Sequence, residues 1–476
     1  MNNFEFKKML NNFMSLFFSH FFKLLLSVLF SLIVPKFLTV ESYGFVQLFL
    51  FYSSYIYIIS LGWVNGIYLR YGGLEYNKID KKRIGNQFWI YCLIQTIIFI
   101  IIIIISQFII NESSQKFIIS FTFIYGIFFS PIYFISNLFQ ATNKIQQVSK
   151  MFLIERVTYS ICMVILLFLD LRDYRLWIII SVIAQFFELL VAFWFYRDFL
   201  FKGFYFNLTS IVESKKNISA GFKLMIANMT SMLIIGIIRF GIEYKWDTEI
   251  FGKVSLTLSI SNFLMIFISS IGVVIFPIIK NMSKEIYVKT YILIENILMI
   301  ASFGVLIFYY PIARLLSYWL PEYTDGLRYM ALLFPICVFE GKSSMLITTY
   351  MKALRLEKKI LQINILSVFI TIIASVITIT IFENLTLAIL SIVIVQAFKC
   401  IYSEYILSKV INICVFRTII FELILSICFI LINWNVKGWG SILMYFSCYL
   451  AYIILNQKKM KRSIELLKSL YRKEIE

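Results

Sequence analysis

One histidine, His20, stands in 476 residues. A single imidazole leaves no histidine-based metal cluster and little room for a Ser-His-Asp site, so neither metal nor cofactor is expected. The seven cysteines contain no CxxC spacing and fall in or beside apolar runs, where they read as small buried residues rather than metal or redox groups. Six prolines and eighteen glycines are too few for long disordered segments. Charged residues make up 15% of the chain, where a soluble protein carries roughly 25%. No connection between apolar runs exceeds that from Arg197 to Ala220, and none could hold a soluble catalytic domain. Gly341-Lys342-Ser343 ends like a phosphate-binding loop, but Ile336 stands where that loop needs its first glycine and no strand precedes it. ATP hydrolysis by this chain is not expected.

What the chain has in abundance is apolar sequence: 61% hydrophobic residues and a mean hydropathy of +0.86. Runs long enough to cross a hydrocarbon core of about 30 Å recur from end to end. Fourteen spans are read, at 14–34, 44–65, 87–107, 117–139, 152–169, 176–196, 219–240, 252–276, 290–312, 328–350, 361–382, 385–407, 417–433 and 439–455. The expected fold class is an all-α polytopic membrane protein. The first span carries His20 and Lys23 and shows no small-residue cleavage site before Pro35, so it is not read as a cleaved signal peptide. With both termini cytosolic, and with residues at span ends counted in the adjoining segment, thirty Lys and Arg fall on the cytosolic side and eight outside, the bias that the positive-inside rule demands. The net charge of +18 then reflects topology and anionic lipid headgroups, not nucleic acid. Residues 458–476 form a basic tail with an apolar face, expected to lie on the inner interface.

The stretch from Leu38 to Tyr71 sets the plan. A polar elbow, Glu41-Ser42-Tyr43-Gly44, leads into an apolar, aromatic run that reaches Leu61-Gly62 and turns basic at Arg70. Glu249-Ile250-Phe251-Gly252 restates the elbow 208 positions on, and its run reaches Ile271-Gly272, then Pro277 and Lys280. Pro131 in the fourth span is matched by Pro335 in the tenth, 204 positions on. A repeat this long is one half of a duplicated membrane protein rather than a solenoid unit. The expected organisation is an N-terminal lobe, 1–200 (helices 1–6), a C-terminal lobe, 201–410 (helices 7–12), helices 13–14 at 411–457, and the tail at 458–476. The two lobes are related by a pseudo-twofold. Pro131 and Pro335 are hinge candidates, because proline removes a backbone donor and bends a helix.

Taken together, Pro35-Lys36-Phe37-Leu38, the elbow, Leu61-Gly62, Arg70 and the two-lobe plan resemble the polysaccharide-repeat-unit (O-antigen, Wzx-like) flippases. These belong to the multidrug/oligosaccharidyl-lipid/polysaccharide exporter superfamily. The resemblance implies two lobes around a central cavity, alternating access, and an oligosaccharide linked to undecaprenyl pyrophosphate as cargo. It places the chain in a bacterial inner membrane, with the polymerase and chain-length proteins of the same pathway as partners. A drug or metabolite exporter of the same superfamily is the alternative function, and a membrane polysaccharide polymerase a third class.

Charges inside the membrane are the natural site candidates, since each costs about 2.5–3.5 kcal/mol on insertion scales. Six cationic side chains, His20, Lys23, Arg239, Lys253, Lys342 and Lys399, are read as offsetting the charge of a pyrophosphate or acidic sugar. Lys342 and Lys399 fall near mid-span. Glu188, Glu295 and Glu340 are candidates for binding a coupling proton or sodium ion. Glu340 and Lys342, two residues apart, should face different ways. Glu155, Arg156, Glu404 and Glu422 lie near span ends, where snorkelling or interface pairing explains them. Tyr52, Tyr55, Tyr57 and Trp63 offer ring surfaces for sugars, although packing and the interfacial aromatic belt account for them more readily.

Overall fold

The computed structural model describes residues 30–200, 208–261, 263, 284–436 and 438–457, and among these every regular element is helical, with no strand. His20, Lys23, the step from Ile271 to Lys280 and the C-terminal tail lie outside the described residues. The helices are α1 (30–37), α2 (Val40–Ser53), α3 (Trp63–Tyr71), α4 (Lys81–Ile109), α5 (Ser113–Ala141), α6 (Ile145–Phe168), α7 (Tyr174–Leu200), α8 (Leu208–Lys245) and α9 (248–261). They continue with α10 (Lys284–Val305), α11 (Tyr309–Trp319), α12 (Met330–Ala353), α13 (Glu357–Ile381), α14 (Leu385–Ile411), α15 (Phe416–Asn435) and α16 (Gly440–Leu455).

Eleven helical stretches among the described residues are long and apolar enough to cross a membrane. They correspond one to one with eleven of the fourteen spans read from the sequence. Of the other three, one is the shorter apolar helix α16, and the first and eighth fall largely outside the described residues. The chain divides into two compact units after Met229, inside α8. The division falls later than the lobe boundary expected at 200.

In the first unit α5 is the hub, with α2, α3, α4, α6 and α7 packed around it. Its core is aromatic: Phe88 meets Phe134 edge-on at 5.3 Å, and Tyr196 lies 5.1 Å from Phe88. α5 runs unbroken through Pro131. The second span is two helices. α2 gives way to a 3-10 turn at Ile56–Ser60, Leu61 and Gly62 take left-handed backbone angles, and α3 follows. The break lets α3 touch the first half of α8 backbone to backbone. A Cβ on Gly66 would sit 1.8 Å from the Asn217 carbonyl oxygen, and one on Gly221 would sit 2.0 Å from that of Gly62. The connection before span seven is also shorter than it reads: α8 begins at Leu208, three turns ahead of its apolar run.

In the second unit α12 is the most enclosed helix, with 89% of its span buried. α14 packs along it, and α15 and α16 belong to the same unit, α15 against α12 and α16 against α10. α12 is segmented. It breaks between Leu333 and Ile336, at Pro335, and widens to a π-helix over Lys342–Ile347.

Both units share helix-end geometry. Thr39 caps α2 by accepting from the Ser42 N–H at 3.2 Å; Asp247, 208 positions on, caps α9 by accepting from the Ile250 N–H at 2.8 Å. At the far end of α5, Asn143 turns left-handed while the Lys144 N–H donates to Phe139 and that of Asn143 to Gln140. Arg355, Leu356, Met351 and Lys352 repeat that Schellman turn 212 positions on, after α12. Asp170 and Glu383 take the same left-handed role after α6 and α13, 213 positions apart. The last step of one residue matches the π-helix at Val376–Ile381, since a π turn absorbs one extra residue. Counted from the shared turn at Asn143 and Arg355, the two prolines do not coincide. Pro335 lies two helical turns further from the helix end than Pro131 does. Pairing them at 204 matched residue type, not position.

The glycine contact makes a direct prediction. Gly66→Val and Gly221→Val each push a side chain into a backbone carbonyl that cannot rotate away, at a cost of about 3 kcal/mol or more. Both variants should lose abundance in the membrane. Gly440→Ala, where a Cβ meets nothing within 4 Å, should accumulate like the wild type.

Candidate functional site

Four ionisable side chains from four helices converge in the second unit. Lys342, the first residue of the π-helical stretch of α12, is 0% exposed. Its Nζ lies 2.8 Å from Glu404 on α14, 2.8 and 2.9 Å from the two oxygens of Glu422 on α15, and 3.0 Å from Glu295 on α10. The three glutamates are 4% (Glu295), 1% (Glu404) and 3% (Glu422) exposed. Tyr291, one turn before Glu295, donates to Glu404 at 3.3 Å. Burying these groups is tolerable only because the ammonium directs its donors at carboxylates.

Glu404 and Glu422 were assigned from sequence to span ends, where side chains reach water. Neither side chain reaches water: each carboxylate is buried and turned inward onto Lys342. A signal for this was present. The two lie at similar distances on either side of the turn at Asn412, and such residues are level on successive antiparallel helices. Glu340 and Lys342 do face different ways: Glu340 pairs with Lys399 at 3.5 Å, a looser contact at a more open carboxylate.

The remaining candidates are dispersed. Arg239 donates to Ser255 at 2.9 Å and lies over the Phe251 ring at 5.2 Å. Lys253 pairs with Glu249 at 2.7 Å within α9. Glu188, on α7, is buried and accepts from Gln185 at 3.1 Å. Of the aromatic candidates, Trp63 is buried edge-on to Tyr91. Tyr57 lies 6.2 Å from Tyr133, which ends a stacked ladder of Tyr125, Phe129 and Tyr133 along α5. The Tyr133 hydroxyl donates to Asn65 at 3.3 Å.

A second polar centre, in the first unit, was not anticipated. Arg70 at the end of α3 and Arg83 at the start of α4 both grip Glu213 of α8. Arg70 also donates to Asn217 at 2.6 Å, and the Asn217 amide donates to Gln87 at 2.7 Å. Glu213, Asn217 and Gly221 recur every four residues, one helical face ahead of the apolar run. Reading that stretch as a loop hid the pattern.

No family model and no curated protein matches the sequence. Solved structures do match, and what they share with this chain is its fold. The lipid II flippase MurJ, in an inward closed conformation, is similar with a TM-score of 0.62 and 14% identity, covering 94% of this chain and 99% of that one. An inward-facing MATE-family multidrug resistance transporter is similar with a TM-score of 0.58 and 12% identity, covering 80% of this chain and 95% of that one. At such identities the likeness is one of fold.

Removing the cation tests the buried centre. Lys342→Met leaves three carboxylates without a counter-charge and is expected to cost about 3–5 kcal/mol. Thermal unfolding in detergent should fall sharply for this variant. Adding Glu404→Gln and Glu422→Gln to it should recover part of the loss.

Proposed function

We propose that this chain flips undecaprenyl-pyrophosphate-linked oligosaccharide repeat units, of an O-antigen or related surface polysaccharide, from the cytosolic to the outer leaflet of a bacterial inner membrane. It does so by alternating access, drawing on an ion gradient. The observation that carries this reading is the extent of the likeness. The match to the lipid II flippase takes in 94% of the chain and so reaches beyond the twelfth helix, whereas the match to the multidrug transporter leaves a fifth unmatched. Helices α15 and α16 are integral to the second unit, since α15 supplies Glu422 to Lys342. The lipid II flippase is named for a lipid-linked cargo, the same chemical class as the one the sequence motifs imply.

A pyrophosphate crossing a low-dielectric layer needs cations along its path, and several modest sites suit a cargo that must also leave. His20, Lys23, Arg239, Lys253 and Lys399 are the proposed contacts. Lys342 is a special case, because its ammonium already lies within 3.0 Å of three carboxylates. Export of a drug or metabolite is the second reading, supported by the likeness in fold to the multidrug transporter.

A deletion strain tests the step. Surface polysaccharide should disappear while lipid-linked single repeat units collect on the cytosolic leaflet, and restoring the chain should reverse both. Units that reach the outer leaflet unjoined would point to a polymerase. Unchanged polysaccharide with altered drug sensitivity would point to an exporter. Within this reading, Lys399→Gln should lower polysaccharide export several-fold at unchanged membrane abundance; export at the wild-type level would remove Lys399 from the cargo path.

A further inference from the structure

The buried centre in the second unit does not balance in charge. One ammonium faces three carboxyl groups, all enclosed. The other titratable groups turned toward it are Tyr291 on α10, Tyr350 on α12, Cys400 on α14 and Tyr452 on α16. None of them brings a positive charge. Lys342 satisfies Glu422 through both of its oxygens. Glu295 lies differently: its Oε1 is within ion-pair distance of Lys342 but forms no hydrogen bond in return. Glu295 and Glu404 lie against the same ammonium, at 3.0 and 2.8 Å from its Nζ, and so stand side by side. Two carboxyl groups crowded onto one ammonium that a third carboxylate already engages are strongly repelled when both are ionised, because nothing screens them. A proton shared between them relieves that repulsion, since the protonated oxygen can donate to the other.

We infer that Glu295 and Glu404 together hold one exchangeable proton, and that this centre is where the chain takes up and releases a coupling proton. The step is a simple acid–base exchange. A proton from water adds to one carboxylate oxygen of the pair, and the other oxygen accepts the resulting O–H. Lys342 keeps its charge throughout, and the net charge of the centre changes by one. When the proton leaves, the pair repels and Lys342 must serve three anions with three donors, so the grip of α12 on α10 and α14 changes with occupancy. Linking this proton to cargo movement rests on the function proposed above; the proton site itself does not.

Infrared spectroscopy of the full chain, reconstituted without cargo in vesicles of phosphatidylethanolamine and phosphatidylglycerol, tests the site. The wild type should show a protonated-carboxyl C=O absorption at neutral pH that disappears as the pH rises. Glu295→Gln and Glu404→Gln should each remove an absorption of one group's amplitude, because the remaining carboxylate then pairs with Lys342. Glu422→Gln, which leaves the pair intact, should retain it, as should the surface variant Glu383→Gln. Glutamine has the shape of a protonated glutamate, so both test variants should fold; unfolding temperatures near the wild-type value would confirm it. If either fails to accumulate, the other and the wild-type titration decide. Absence of a titrating band in the wild type, or its persistence in both test variants, overturns the proposal. A titrating band in a strain whose polysaccharide export is normal without this chain would keep the proton site and remove the flippase reading. Blocked export with no such band would do the reverse.

Discussion

The second unit depends on a cation with nowhere else to go. An ammonium at 0% exposure in a chain this apolar needs its counter-charges brought to it. They arrive from three other helices, far apart in sequence, at 2.8–3.0 Å. Apolar packing alone permits many rotations of a helix about its axis. A single lysine demanding carboxylates from α10, α14 and α15 removes most of them. Helices α15 and α16 are held to the unit through this demand and through two tyrosines. Tyr445 and Tyr449 on α16 donate to the backbone carbonyls of Phe303 and Ile300 on α10.

The first unit solves the same problem by other means. Its hub α5 carries no charge among its buried residues, and its core is built from edge-on aromatic contacts. Charge gathers at the end where α3, α4 and α8 meet, and there Glu213 answers two arginines, while Glu188 on α7 is a further buried carboxylate. The helix-end turns still match those of the second unit at steps of 208, 212 and 213 positions. The two units therefore agree in backbone geometry at helix ends and differ in side-chain chemistry in the middle.

The spans were legible because membrane-crossing helices announce themselves: about 20 apolar residues, bounded by basic segments. The all-helical class and eleven of the span positions follow directly from that signal. What sat between spans was less legible. Glu213 and Asn217 looked like loop residues because hydropathy marks where lipid begins, not where a helix begins. Glu404 and Glu422 looked like span-end residues for the same reason; depth along one helix says nothing about which neighbour closes over it. Lys342 stood out as a buried charge, but its partners come from contacts across at least 47 positions of chain, and no local pattern encodes those. The prolines misled by identity, since two helices can each need a bend at different heights.

Lys342 opens a π-helical stretch, and that has a mechanical meaning. A π turn is a helix carrying one surplus residue, and the surplus can travel along the helix without either end moving. Passing it across Lys342 would swing that side chain by about 100° around the axis, one residue's share of a helical turn. α12 could then withdraw its cation from all three carboxylates at once and return it by the reverse slip, with the Schellman turn at Arg355 and the break at Pro335 held still.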